Sequence, residues 1–298
     1  MAATETAAMS RRMELLTPVP SPALVVGAIA SVQFGSAIAA KLFDTIGPGG
    51  AVWLRLLFGT VILLGLWRPR MRGYTRYQLA LACGFGLVLG FMNLSFYSAL
   101  HRIPLGIAVT LEFIGPLTVA VAGSRRPIDL LWVGIAAAGI IALTQGDTHS
   151  LNALGVALAL LAGALWGTYI HVNARVGQAF AGGTGLALAM CFASVVILPF
   201  GIGQGGSHLL EPHSLALGAA IGLLSSAIPY SFELEALRRI KPSVFGVLMS
   251  IEPAMAALAG FLVLGQGLGA RTLFGIALVV VASVGAARRS SEPPVPVQ

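Results

Sequence analysis

Ten apolar stretches follow one another along this chain, at about residues 23–43, 49–67, 77–98, 104–122, 129–145, 153–173, 184–203, 214–236, 242–264 and 270–287. About 20 apolar residues carry a helix across the hydrocarbon core of a bilayer, so each stretch predicts one membrane span. The stretches also repeat. The window beginning Ala99-Leu100-His101-Arg102-Ile103 falls without a gap on the one beginning Ala236-Leu237-Arg238-Arg239-Ile240. Leu100, Arg102 and Ile103 then meet Leu237, Arg239 and Ile240, Pro116 meets Pro253, and Gly123 meets Gly260, all at an offset of 137. Shorter matches keep the same order: Phe34-Gly35 with Trp166-Gly167, Val61-Ile62-Leu63 with Val196-Ile197-Leu198, and Gly134-Ile135-Ala136 with Gly275-Ile276-Ala277. Five spans in each half is an odd number, so the second half enters the membrane from the opposite side. The predicted fold class is an all-α membrane protein of ten transmembrane helices, arranged as two inverted five-helix repeats. The repeats cover residues 23–145 and 153–287, joined by an outer loop at 146–152 (Gly146-Asp147-Thr148-His149-Ser150-Leu151-Asn152). The proline-bearing ends, 1–22 and 288–298, read as disordered cytoplasmic segments.

Composition agrees with lipid as the solvent. The chain is 57% hydrophobic and 10% charged, with a mean hydropathy of +0.88, whereas soluble domains carry about 25% charged residues. Outside the spans there is no room for a separate soluble domain, and no Gly-x-x-x-x-Gly-Lys-Ser/Thr loop occurs. The net charge of +7 does not call for nucleic acid, because the positive-inside rule accounts for it. With the N-terminus in the cytoplasm, the cytoplasmic ends hold Arg11, Arg12, Arg68, Arg70, Arg72, Arg76, Arg125, Arg126, Arg175, Arg238, Arg239, Lys241, Arg288 and Arg289. The outer ends hold Lys41, Arg102 and Arg271, and Arg55 lies inside a span. Both termini are therefore expected inside, in a multi-pass protein of the cytoplasmic (inner) membrane. Arg11-Arg12, the apolar run after it and Ala37-Ile38-Ala39 mimic a cleavable signal peptide, but cleavage would remove the first span and break the repeat. Cys83 and Cys191 read as small apolar packing residues with no metal spacing and no disulfide framework. Glycine pairs four apart, Gly86/Gly90 and Gly163/Gly167, let helices approach closely.

Polar residues inside the spans are the candidates for chemistry. A carboxylate near the bilayer centre costs roughly 3 kcal/mol and normally faces the bundle interior. Glu112 is near the centre of the fourth span and Glu252 near the centre of the ninth; in repeat register Glu252 matches Gly115, so the two lie about one turn apart. Desolvation disfavours the charged form of a carboxyl, which suits such a group to loading and releasing a proton. A structural glutamate bonded to a neighbouring helix is the competing reading. Pro116 cannot donate to the Glu112 carbonyl, which is then available to a polar ligand or a neighbouring helix. In the eighth span, Glu233 lies inward of a basic loop, and either role fits it; Glu235 is nearer the headgroups and reads as solvated. Arg55 needs a partner or room to snorkel, and an ion pair with an interior glutamate competes with an anion-binding role. Lys41 snorkels at the end of the first span. Gln33, Asn93, Tyr97, Trp166, Tyr169 and Tyr230 can line a cavity or bond across helices. The histidines form no metal site or triad, and nothing points to an enzyme, a cofactor or a metal.

These residues also carry a resemblance. Pro104-Leu-Gly-Ile-Ala-Val-Thr-Leu-Glu-Phe-Ile-Gly-Pro-Leu117, Ser124-Arg-Arg-Pro-Ile-Asp129, Ala227-Ile-Pro-Tyr-Ser-Phe-Glu233 and Phe245-Gly-Val-Leu-Met-Ser-Ile-Glu-Pro-Ala254 resemble the ten-helix drug/metabolite transporter superfamily with two EamA-type repeats. Within it, the chain looks most like the inner-membrane threonine/homoserine exporter family, over roughly residues 23–287. The resemblance implies efflux of small amino acids by proton exchange, with Glu112, Glu233 and Glu252 inside the matching motifs and Gln33, Tyr97 and Tyr169 also matching. Arg102 and Glu235 depart from the pattern, at the mouth of the pathway. The expected partners are a small-molecule substrate, protons and the lipid bilayer, in a monomer or homodimer. Export of drugs, nucleobases or other metabolites on the same scaffold is the alternative. A channel, or a non-transporting receptor or assembly factor, is the reading from a different class, and the lack of an extramembrane domain counts against the latter.

Overall fold

The structure, a computed structural model, describes residues 19–69, 73–122, 127–144, 152–180, 182–237, 239–240 and 242–289. Helices occupy each of the ten apolar stretches, and no strand occurs among the described residues. In chain order they are α1 (Ser21–Ala40), α2 (Phe43–Trp67), α3 (Arg76–Leu100), α4 (Leu105–Glu112), α5 (Ile114–Ala122), α6 (Pro127–Thr144), α7 (Ala153–Ala179), α8 (Thr184–Gly205), α9 (Pro212–Gly222), α10 (Ile228–Leu237), α11 (Pro242–Met249), α12 (Glu252–Leu264) and α13 (Ala270–Arg289). Among the described residues, seven helical units are long and apolar enough to cross a membrane, and the shorter apolar helices Leu105–Val119, Leu131–Ala142 and Ala270–Gly285 accompany them. The expected tail after Arg289 and nearly all of the connecting loop and N-terminal segment lie outside the described residues.

Polarity runs the wrong way round for water. Val61, Val195, Ile202 and Phe274 are more than half exposed on the outside, while Gln33, Arg55, Asn93, Glu112 and Glu252 are buried within. A surface of this kind belongs in hydrocarbon, where burying polar groups inside the bundle is the only way to satisfy them.

Two of the stretches are broken at mid-length. The fourth divides into α4 and α5 at Phe113, and the ninth into α11 and α12 at Ser250-Ile251. Pro116 and Pro253 stand just past the breaks, where each withholds the N–H that the carbonyl four residues earlier would accept. Shifted by 137 residues, α4 covers 242–249, the bounds of α11. The eighth stretch bends differently: a π-helical turn over Leu223–Ala227 separates α9 from α10, with the Ile228 N–H donating to the Leu223 carbonyl. Pro229, two residues past the turn, cannot donate to the Ser225 carbonyl within it, which is left for other donors.

The most extensive packing joins α2 with α8, α3 with α7, α6 with α13, and α3 with α8. α1 packs on α9, α10 and α12, α7 on α4 and α5, and α4 on α12. Glycines set the closest approaches. A Cβ on Gly86 would stand 2.5 Å from the Ala189 carbonyl oxygen, and one on Gly163 would stand 2.6 Å from the Glu112 carbonyl oxygen. Both expected glycine pairs therefore lie at helix crossings. At the end of the bundle where α1 begins, Gln78 donates to the Ala179 carbonyl (2.8 Å) and Arg239 to the Val19 carbonyl (3.1 Å). At the opposite end, the Gln204 side chain accepts from the Gly49 N–H (2.7 Å) just after Gly47, whose φ of +68° turns the start of α2. Gln266 accepts there from the Leu105 N–H (3.0 Å), which has no partner inside its own helix.

Candidate functional site

A cavity of about 410 Å³ lies within the bundle, where α4/α5 and α11/α12 are broken. That volume is in the range of small-molecule sites, about 300–1,000 Å³. Glu112, Glu233, Glu252, Gln33, Arg55, Asn93, Trp166, Tyr169 and Tyr230 line it. Tyr97 is fully buried behind Arg55 and is not part of the wall. From mid-length the cavity extends along Asn173, Glu233 and Phe245, toward the end where α1 begins. On the far side of Arg55, the rings of Tyr97 and His101 each pack on Phe43 with centroids 5.7 Å apart.

The two breaks present their glutamates differently. Glu112 is the last residue of α4, and its side chain makes no hydrogen bond or ion pair among the described residues. Its backbone carbonyl, deprived of a donor by Pro116, is turned against Gly163 of α7 and so meets a neighbouring helix. Glu252 is the first residue of α12, where a helix N-terminus favours negative charge. Its Oε1 accepts from Gln33 Nε2 at 3.0 Å across from α1, while Oε2 is buried without a partner. Glu233 lines the cavity from α10 without a hydrogen bond among the described residues, near the phenol rings of Tyr169 and Tyr230. Glu252 lies within electrostatic reach of both other carboxyls.

Arg55 lines the same cavity from α2. Its guanidinium donates to the Ser225 carbonyl at 2.9 Å and to the Tyr97 hydroxyl at 3.4 Å, and sits 5.6 Å from the Tyr97 ring centroid. The carbonyl is the one that Pro229 leaves free, so the π-helical turn provides the seat for the arginine. Glu112 feels the arginine's charge, but Arg55 forms no ion pair among the described residues. Asn93 spends its amide N–H on its own helix, donating to the Leu89 carbonyl at 2.8 Å. Trp166 packs edge-on against Phe113 at the first break, centroids 5.6 Å apart.

One expectation is corrected. Glu235 is not solvated: it is buried at 8% exposure and paired with Arg239, four residues on in the turn that follows the helix. Arg239 folds back over it while reaching the Val19 carbonyl, and the i,i+4 geometry makes this pairing a local one. Lys41 is exposed at its helix end. Cys83 and Cys191 are both free thiols. Among the described residues, no group of His, Cys, Asp and Glu is placed to hold a metal ion.

Sequence reading missed Ser36, Asn173, Ser225 and Ser250, all of which line the cavity. Ser225 had a readable signal, since Pro229 four residues on marks its carbonyl as unclaimed. The others depend on which face of an apolar helix turns inward, and the pattern does not say.

Residues 153–288 match the EamA-like transporter family. The threonine/homoserine exporter RhtA of Salmonella typhimurium (strain LT2) is 40% identical over 272 residues, covering 90% of this chain and 92% of that protein. RhtA of Escherichia coli (strain K12) is 39% identical over 278 residues, covering 92% of each. A solved crystal structure shares the fold with a TM-score of 0.56 at 17% identity, covering 91% of this chain and 99% of that one.

Proposed function

Because the chain belongs to the EamA-like transporters of the drug/metabolite transporter superfamily, close to the threonine/homoserine exporters, we propose that it is a secondary exporter of small amino acids such as threonine and homoserine. The family is one of transporters rather than enzymes, and the protein is a multi-pass membrane protein. The observation that carries the reading is the mid-bundle cavity whose lining brings together Glu112, Glu252, Glu233 and Arg55.

Two inverted five-helix repeats underlie the mechanism. In support, the matching helix bounds of α4 and α11 recur at the sequence offset of 137, and the family match spans the second half alone. The packing pairs also map onto one another. Exchanging each span for the one five further along converts α3 on α7 into α1 on α9/α10, and α1 on α12 into α7 on α4/α5. Such a pseudo-twofold lets one set of contacts be exchanged for its mirror, which is how inverted repeats produce alternating access.

The cavity end where α1 begins faces the cytoplasm in this account. Arg68, Arg76, Arg175 and Arg239 gather at that end, against Lys41, Arg102 and Arg271 at the other. Substrate then enters from the cytoplasm between the glutamates and Arg55, and the packed rings of Phe43, Tyr97 and His101 hold the outer side closed. Glu112 or Glu252 is the proton carrier, and its proton and the substrate ammonium compete for the same carboxylate. A proton moving inward gains about 2.3 kcal/mol per 100 mV, a sufficient drive for exporting substrate.

Purified protein in liposomes loaded with a pH-sensitive dye tests the exchange. Threonine added on one side should drive protons the opposite way, and a variant with Glu112 and Glu252 both changed to glutamine should abolish the signal. Threonine flux with no proton movement would remove antiport from the account. Drug or nucleobase flux in place of threonine flux would favour the alternative substrate class on the same scaffold.

A further inference from the structure

The cavity keeps its opposite charges apart. Arg55, only 8% exposed, is held by neutral groups alone, the Tyr97 hydroxyl and ring and the Ser225 carbonyl. Three carboxyls share the same cavity, yet none forms an ion pair with it among the described residues. A buried charge without an opposite partner is costly, and a flexible arginine ordinarily closes on the nearest carboxylate. Here the Ser225 carbonyl, freed by Pro229 and the π-helical turn, holds the guanidinium on the α2 wall. Only two of its five N–H groups are used by these contacts. The Ser225 hydroxyl, Glu252 Oε2 and Gln33 Oε1 are also buried without partners. Unclaimed donors therefore cluster around Arg55, and unclaimed acceptors around Gln33 and Glu252.

We infer that the cavity binds its substrate as a zwitterion, with the α-carboxylate on Arg55 and the Ser225 hydroxyl, and the ammonium at Glu252, Gln33 and Glu112. A free carboxylate is then a condition of transport. The inference rests on the amino-acid exporter reading and adds to it which end of the amino acid each wall holds. Guanidinium and carboxylate match in charge and planar geometry, which a lysine at the same place does not reproduce. The alternative is that Arg55 only offsets the field of the carboxyls. In that case a cationic amine lacking a carboxylate suits a cavity with three carboxyls as well as threonine does, or better.

The test uses full-length protein in liposomes and measures labelled threonine flux against unlabelled threonine or threonine amide as competitor. In the unaltered protein, threonine amide should compete at least about tenfold more weakly, the scale set by loss of a charge-assisted hydrogen bond. Arg55→Gln should raise the KM for threonine by a similar factor and abolish the difference between the two competitors, and Arg55→Lys should restore it only in part. Threonine flux with equal competition by the amide would overturn the inference while leaving the exporter reading intact. An absence of threonine flux from folded, unaltered protein would instead overturn the exporter reading, and this inference with it. The competitor series needs no variant, so a failure of the Arg55 variants to fold would not blunt it.

Discussion

Gly163→Ala is expected to lower threonine transport about a hundredfold while leaving the protein inserted in the membrane. The α7 helix crosses the first break at this glycine. A Cβ there would stand 2.6 Å from the Glu112 carbonyl oxygen and 3.3 Å from the Glu112 Cα, both backbone atoms that no rotamer change can move aside. Gly115 meets Gly163 from the other side of the same crossing. Relieving the overlap requires the helices to part by several tenths of an ångström or more, and the residue that moves is Glu112. Displacement of a binding group by about 1 Å can cost a factor of 100, and overpacking of this kind destabilises by about 1–3 kcal/mol. Gly177→Ala is the control on the same helix, because a Cβ there meets nothing within 4 Å. Initial transport rates and thermal unfolding in detergent measure both variants. A Gly163→Ala protein with rates within twofold of the parent would mean that the crossing does not position Glu112.

Glu112→Gln is expected to abolish proton-driven accumulation, leaving at most downhill equilibration of substrate. The amide keeps the shape and removes the only proton that side chain can exchange. Glu112 has no hydrogen-bonding partner of its own among the described residues, so the change breaks no existing bond. Glu235→Gln is the informative control: its carboxylate is already engaged by Arg239 outside the cavity, and coupling should survive. Accumulation ratios measured under an imposed pH gradient distinguish the two, and the dependence of the rate on pH should flatten only in the Glu112 variant. Full coupling in Glu112→Gln would transfer the proton to Glu252.

Much of this architecture was legible because it follows local rules. Helix positions came from the length of the apolar runs. The break at Glu112 was signalled by Pro116, whose missing N–H acts within one turn; the matching break before Pro253, at the same offset of 137, was not read. What escaped was relational. The helices are apolar on nearly every side, so no periodicity tells which face turns inward, and Ser36, Asn173 and Ser250 were lost among equally plausible residues. The hold on Arg55 joins residues 42 and 170 positions away, a distance over which no pattern operates, although Pro229 marked the carbonyl that receives it. Glu235 was misread for a simpler reason. Its partner Arg239 stands four residues on, a spacing at which an acid and a base meet even near the headgroups. The grouping of Glu112, Glu233 and Glu252 in one cavity also depends on three helices meeting, which sequence could suggest only through the cost of each carboxyl in lipid.

Proton-coupled export is tested by uptake of labelled threonine and homoserine into inside-out membrane vesicles, with and without an imposed proton gradient. Accumulation should require the gradient and be lost in Glu112→Gln. Folded, inserted protein that accumulates neither amino acid under either condition would contradict proton-coupled export.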